Sequence, residues 1–208
     1  MSVRMAREED LERVNELRRQ VNDLQAAETP GKRILVLGCP GSGKSTLARE
    51  LQRRTGLPLI HLDLIWWRAD RTHISREDFD KRLREILQGE SWIIDGDYSR
   101  TYEPRFLACD SVVFLDLDEE SCRRGIAERI GQSRTDVPWT GDRFDPALEE
   151  QVANYCRENR PKLYGLIAKY PEKRIFIFRT RGEAEAWLSG LQAPQQRVAC
   201  APGGGALQ

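Results

Sequence analysis

Residues 38–46 read Gly38-Cys39-Pro40-Gly41-Ser42-Gly43-Lys44-Ser45-Thr46, a glycine and four free positions followed by Gly-Lys-Ser. This is the P-loop pattern, whose glycines let the main chain bend tightly enough for successive N–H groups to face a polyphosphate. The apolar run Ile34-Leu35-Val36-Leu37 precedes it, and Leu47, Ala48 and Leu51 follow at helical spacing. The motif therefore lies between a strand and a helix, where the helix N-terminus adds its own pull on anions. Gly38, Gly41 and Gly43 shape the turn, with Pro40 and Ser42 between them, and Thr46 completes the set while facing the helix packing. Lys44 is placed to reach the β and γ phosphates, and the Ser45 hydroxyl to ligate Mg²⁺. The cofactors this implies are ATP and Mg²⁺.

Moving a phosphoryl group asks for a metal, positive charge around the group and an acceptor held in line. Asp95 ends the apolar run Trp92-Ile93-Ile94 and precedes Gly96, so its carboxylate sits at a strand's carboxyl end beside the expected metal, with Ser45. Asp116 ends Ser111-Val112-Val113-Phe114-Leu115 in the same way, its other reading being a cap for the next helix. His61-Leu62-Asp63 ends a further strand: Asp63 can orient or deprotonate an acceptor hydroxyl, while His61 can assist or serve as a hydrogen-bonded core histidine. One of Trp66 and Trp67, taken as Trp67, can stack on an acceptor, although such aromatics also fill cores. Asp97, Tyr98, Arg100 and Arg105 open a polar stretch beyond Asp95 that belongs to the same acceptor side. Arg129 is expected to act catalytically and on the nucleotide, and Arg157 and Arg160 to close on the substrate; Arg123, Arg124 and Arg134 are spaced to point outward. For each of these arginines a solvated surface position is the alternative.

The elements that must carry these groups alternate along the chain. A strand over 34–37, the P-loop helix, a buried strand over 58–62 and a helix begun by Ser75 and Asp78 with stripe Phe79, Leu83, Ile86 and Leu87 come first. Strands at 92–94 and 111–115, a helix over 119–130, a Gly-, Pro- and Asp-rich loop over 131–146 and a long helix from Asp145-Pro146 to Tyr170 follow. A strand over 174–178 and a short helix to Leu191, begun by a Thr180/Glu183 capping box, close the pattern. Alternation of this kind predicts an α/β fold, a parallel sheet with helices on both faces and ligands at the carboxyl ends of the strands. The domain spans 31–191 with a lid at about 131–146; residues 1–30 form an amphipathic helix and linker, and 192–208 a disordered tail. The first helix, with Val14, Leu17, Val21 and Leu24 at three- and four-residue steps, either docks on its own domain or makes a homodimer.

The 208 residues hold 33 basic and 33 acidic side chains, so the total gives no pull toward nucleic acid or an anionic membrane. The distribution is uneven, with eight acids and two bases in 91–121 but eight acids and thirteen bases in 122–181, so an anionic ligand finds its arginines in the second stretch. Five cysteines without paired spacing and only two histidines make no zinc pattern and suggest reduced thiols. No apolar run reaches membrane-spanning length and the N-terminus lacks a signal-peptide core, which together predict a cytoplasmic protein.

Taken together, Gly38 to Thr46, His61-Leu62-Asp63 with Trp67, residues 92–98, Val113-Phe114-Leu115-Asp116 and Arg160-Pro161-Lys162 make the chain resemble the nucleoside-monophosphate-kinase-like P-loop proteins. Within them it is similar to the adenylate-kinase-related group labelled FlaR or DNA topology modulation proteins, over about residues 33–191. The resemblance implies a five-stranded sheet with the P-loop strand central, MgATP at the P-loop, an acceptor site near 61–67 and 95–105, and an arginine-bearing lid. It makes Asp95 the acid that organises Mg²⁺ and Arg129 a lid arginine on the phosphates. Two acceptor arginines of adenylate kinases are replaced here by Trp66 and Ser99, with Arg100 one place later. The expected activity is transfer of the ATP γ-phosphoryl to a nucleoside monophosphate or related small molecule. An alcohol acceptor served by Asp63 and an ATP-binding regulator acting through a protein partner are the alternatives. No helix-turn-helix signature or basic face supports contact with DNA.

Overall fold

The computed structural model describes residues 29–139 and 146–191. The expected helix at 4–27 with its dimer contact, the tail, and positions 140–145 of the loop lie outside them.

Five runs rich in Ile, Leu, Val and Phe form β1 (Arg33–Gly38), β2 (Leu59–His61), β3 (Trp92–Asp95), β4 (Ser111–Leu115) and β5 (Arg174–Phe178). They pair in parallel in the order β2-β3-β1-β4-β5, so the P-loop strand is central, as expected. β1, β3 and β4 are covered on both faces, which is why they read as continuous rather than alternating apolar runs. β2, at the edge, is only half-buried and stops at His61. The expected strand over 58–62 is corrected there: Leu62 turns inward and starts a short helix, α2 (Leu62–Trp66), which carries Asp63.

The other helices are α1 (Lys44–Thr55), α3 (Arg76–Leu87), α4 (Tyr102–Ala108), α5 (Glu119–Glu128), α6 (Pro146–Asn154), α7 (Arg160–Lys169) and α8 (Arg181–Gly190). Ser75 caps α3 by accepting from the Asp78 N–H, and Thr180 caps α8 by accepting from Glu183. Asp118, not Asp116, caps α5. α4 was not foreseen; a single 3₁₀ turn, Ser99–Thr101, leads into it. The expected single helix to Tyr170 is interrupted by a π-helical turn, Tyr155–Asn159, between α6 and α7. At the opposite end of the sheet from the P-loop, Asp110 accepts from the Lys32 and Arg33 N–H groups and from the Arg33 guanidinium, tying the start of β1 to that of β4. No helix among the described residues is long and apolar enough to cross a membrane.

Candidate functional site

The site is built on the carboxyl ends of the three middle strands. β1 runs into the P-loop, where Gly41 and Gly43 take φ of 83° and 97°, values that residues with a side chain adopt only with strain. Gly41 also lies against α5: a Cβ there would come 2.0 Å from the Cys122 carbonyl oxygen, and one on Gly125 would come 2.1 Å from the Gly41 carbonyl oxygen. The Gly41 oxygen also accepts at 3.0 Å from Arg181, whose guanidinium lies beside Gly125.

A cavity of about 800 Å³ opens over this turn, lined by P-loop residues, by Arg129, Arg134 and Asp136, and by Arg181 at the start of α8. Its size suits a nucleotide. Gly41, Ser42, Gly43, Lys44, Ser45, Thr46 and Arg129 were expected here and are brought together. Arg134, Asp136 and Arg181 were not expected. Arg134, expected to point outward, lies beyond the end of α5 at Glu128 and lines the cavity instead. It donates to Asp136 at 3.2 and 2.6 Å. Asp136 is 3% exposed, and burial pushes its carboxyl up; the Arg134 guanidinium and the Ser45 hydroxyl outweigh this and hold it well below the usual carboxylate range. Arg181 directly follows the foreseen cap Thr180, and its only sequence signal was a position at the start of a helix after β5.

Across the end of β3 lies an acid-rich side. Asp95 pairs in register with Val36 of β1 and with His61 of β2. Its Oδ2 accepts from His61 Nδ1 at 2.7 Å, while its Oδ1 is buried with no hydrogen-bond partner among the described residues. His61 thus has the hydrogen-bonded environment that its second reading expected, its Nδ1 held against Asp95. Asp63 accepts from the Tyr98 hydroxyl at 2.7 Å, and Tyr98 reaches it from a left-handed backbone position, φ 33°. Burial raises the Asp63 carboxyl above its usual value, with Asp95 adding to the rise and Tyr98 and Lys44 opposing it. Asp97, likewise raised by burial, takes the Tyr102 hydroxyl on one oxygen and Asn159 Nδ2 at 2.8 Å on the other. The π turn is what aims Asn159 there, a common use of such turns.

The arginines expected beside these acids are engaged elsewhere. Arg105 is fully buried and donates to the carbonyls of Gly96, Asp97, Tyr98 and Thr101, so it clamps the backbone beyond β3 instead of facing an acceptor. Arg100 makes two bonds to Asp80 of α3, at 2.8 and 2.6 Å. Arg160 pairs with Asp116 at 2.6 Å, and the Tyr164 hydroxyl also donates to Asp116, which gives that carboxylate a structural role between β4 and α7. Arg157 donates to Asn154 within its own helical run. Trp66 is packed by His73, Phe79 and Tyr98, whereas Trp67 meets Trp139 of the 131–146 loop edge-on at 5.9 Å.

A family model described as AAA domain matches residues 34–137. Among solved structures, a sugar kinase from a Janibacter species is similar at 22% identity and a TM-score of 0.48, over 77% of this chain and 91% of that one. A shikimate kinase from Bacteroides thetaiotaomicron matches at 20% identity and 0.48, over 76% and 94%. One from Acinetobacter baumannii, solved with shikimate, matches at 17% and 0.47, over 78% and 90%. None of the curated proteins matches the chain.

Proposed function

We propose that this chain, which belongs to the AAA domain family, is an ATP-dependent phosphotransferase moving the γ-phosphoryl group of ATP to a small acceptor. The observation that carries this reading is the convergence, in one cavity of about 800 Å³, of Lys44 and Ser45 with Arg129, Arg134 and Arg181. A triphosphate needs positive charge from several directions, and Lys44, Arg129, Arg134 and Arg181 line the cavity from α1, from the residues after α5 and from α8. Arg134 is paired with Asp136 and Arg181 with Glu128, acids for which a triphosphate would have to compete. The adenylate-kinase-related resemblance supplies the lid role given to Arg129.

Ser45 and Asp95 would hold Mg²⁺. The buried, partnerless Oδ1 of Asp95 fits this, because such an oxygen costs free energy unless a cation or proton donor meets it. The ion would supply neutralisation of the phosphate charge. His61 keeps the other Asp95 oxygen oriented. Asp63, Asp97, Tyr98 and Trp67 stand on the acceptor side; Arg100, Arg105 and Arg160 are removed from it by their partners.

The test is release of ADP in a coupled assay, run beside ATP binding by calorimetry. Lys44→Ala should lose turnover and at least tenfold in ATP affinity while keeping the wild-type circular dichroism. Full turnover in a clean Lys44→Ala preparation would overturn the proposal.

A further inference from the structure

The acceptor side presents carboxylates and commits its arginines. Asp63, Asp95 and Asp97 lie on α2, at the end of β3 and just beyond it, all within electrostatic reach of one another or of Lys44. A phosphate monoester docking here would meet Asp63 and Asp97, with Lys44 and Asp95 already engaged by the nucleotide and its metal in the reading above. It would need arginines in bidentate geometry to offset that. Arg100 is held by two bonds to Asp80, Arg105 by four backbone carbonyls at zero exposure, and Arg160 by Asp116. Freeing Arg105 would strip the turn that sets Asp97 and Tyr98. Ionised carboxylates only accept hydrogen bonds, so the complement of this surface is a donor-rich, uncharged molecule. Trp67, four residues beyond Asp63 and edge-on to Trp139, would add an apolar wall of the kind that packs against the C–H faces of such compounds.

Resting on the phosphotransferase reading, we infer that the acceptor is an uncharged polyhydroxyl compound and that Asp63 is the catalytic base for its phosphorylation. The step balances within the site. The acceptor O–H gives its proton to an Asp63 carboxylate oxygen as the hydroxyl oxygen forms a bond to the γ phosphorus. The bond from that phosphorus to the β–γ bridging oxygen breaks, and ADP leaves with the electron pair; Asp63 later returns its proton to water. Tyr98 fixes the carboxylate through its hydroxyl. Burial makes Asp63 more basic than an ordinary carboxylate, which suits the task. Asp97, oriented by Tyr102 and Asn159, receives a second hydroxyl and so selects for adjacent hydroxyls over a single one.

The test compares sugars and sugar alcohols with AMP, CMP, GMP and UMP as stimulants of ADP release, on wild type, Asp63→Asn and Asp97→Asn, with phosphate esters read by ³¹P NMR. A sugar or sugar alcohol should stimulate at least tenfold more than any monophosphate. Asp63→Asn should then lose about 100-fold in kcat with ATP affinity unchanged. The acid limb of the wild-type kcat profile should lie above the ordinary carboxylate range and vanish in that variant. Asp97→Asn should raise the acceptor KM more than it lowers kcat. Equal or better stimulation by a monophosphate, silence from every hydroxyl compound on a chain that binds ATP, or an untouched kcat in Asp63→Asn would overturn the inference. Failure of the wild-type chain to bind ATP would instead bring down the phosphotransferase reading beneath it.

Discussion

The carboxylate of Asp136 joins three parts of the chain that spacing alone kept apart. It takes two bonds from Arg134, meets the P-loop hydroxyl of Ser45, and lies 3.8 Å from Arg49 of α1. Lys44, Ser45 and Asp95 were legible because each follows an apolar run at a spacing chemistry requires; Arg134 and Asp136, two residues apart in an irregular segment, have no period to betray them. Asp136→Ala should release this segment from the P-loop, raising amide exchange over residues 131–139 by about tenfold while exchange in β1, β3 and β4 stays slow. Because the folded carboxyl is held below its unfolded value, its stabilising contribution is present above the ordinary carboxylate range and is lost progressively as pH falls from that range through the depressed value. Exchange in the wild-type segment, once corrected for intrinsic rates, should therefore be flat between about pH 5 and 8. A marked rise toward pH 5 would show that another group governs the contact.

Where helices meet the P-loop, the tolerances are set by missing side chains. Gly125 sits inside α5, a position that costs roughly 1 kcal/mol against alanine and so asks for a packing reason. The reason is the Gly41 carbonyl, which a Cβ would approach to 2.1 Å. Gly125→Ala must push α5 off the turn, and because that turn shapes the phosphate cradle, ATP affinity should fall at least tenfold. Gly190→Ala, at the end of α8 with nothing within 4 Å of an added Cβ, is the control and should leave binding unchanged. If Gly125→Ala binds ATP normally, the helix is not what shapes the loop. Strands and long amphipathic helices were readable from period. The 3₁₀ turn, α2 and the π turn were not, since each is only a few residues long and exists through tertiary partners such as the Asn159 bond to Asp97.

At the scale of the whole molecule, the central place of β1 explains why the readable part of the sequence converges on one end of the sheet. β3 and β4 flank it on opposite sides, so the chain leaves the P-loop strand in two directions and opens a crevice at its carboxyl end, where parallel sheets bind ligands. Alternating strands and helices predict that arrangement; which arginines turn into the crevice depends on pairings between distant segments, such as Arg160 with Asp116, that no local pattern encodes. A ligand contacting α1, the segment after α5 and α8 together binds only the assembled fold, so it must stabilise the whole domain. At a hundred times its dissociation constant, ATP should add about 2.7 kcal/mol, or roughly 5–10 °C in Tm for a chain of this size. Lys44→Ala should melt within about 2 °C of wild type without ATP, because a half-buried lysine at a helix start holds no core packing, yet show little of the shift. An unchanged shift in Lys44→Ala would mean that ATP stabilises the molecule from somewhere other than the crevice, and the cavity assignment would fall with it.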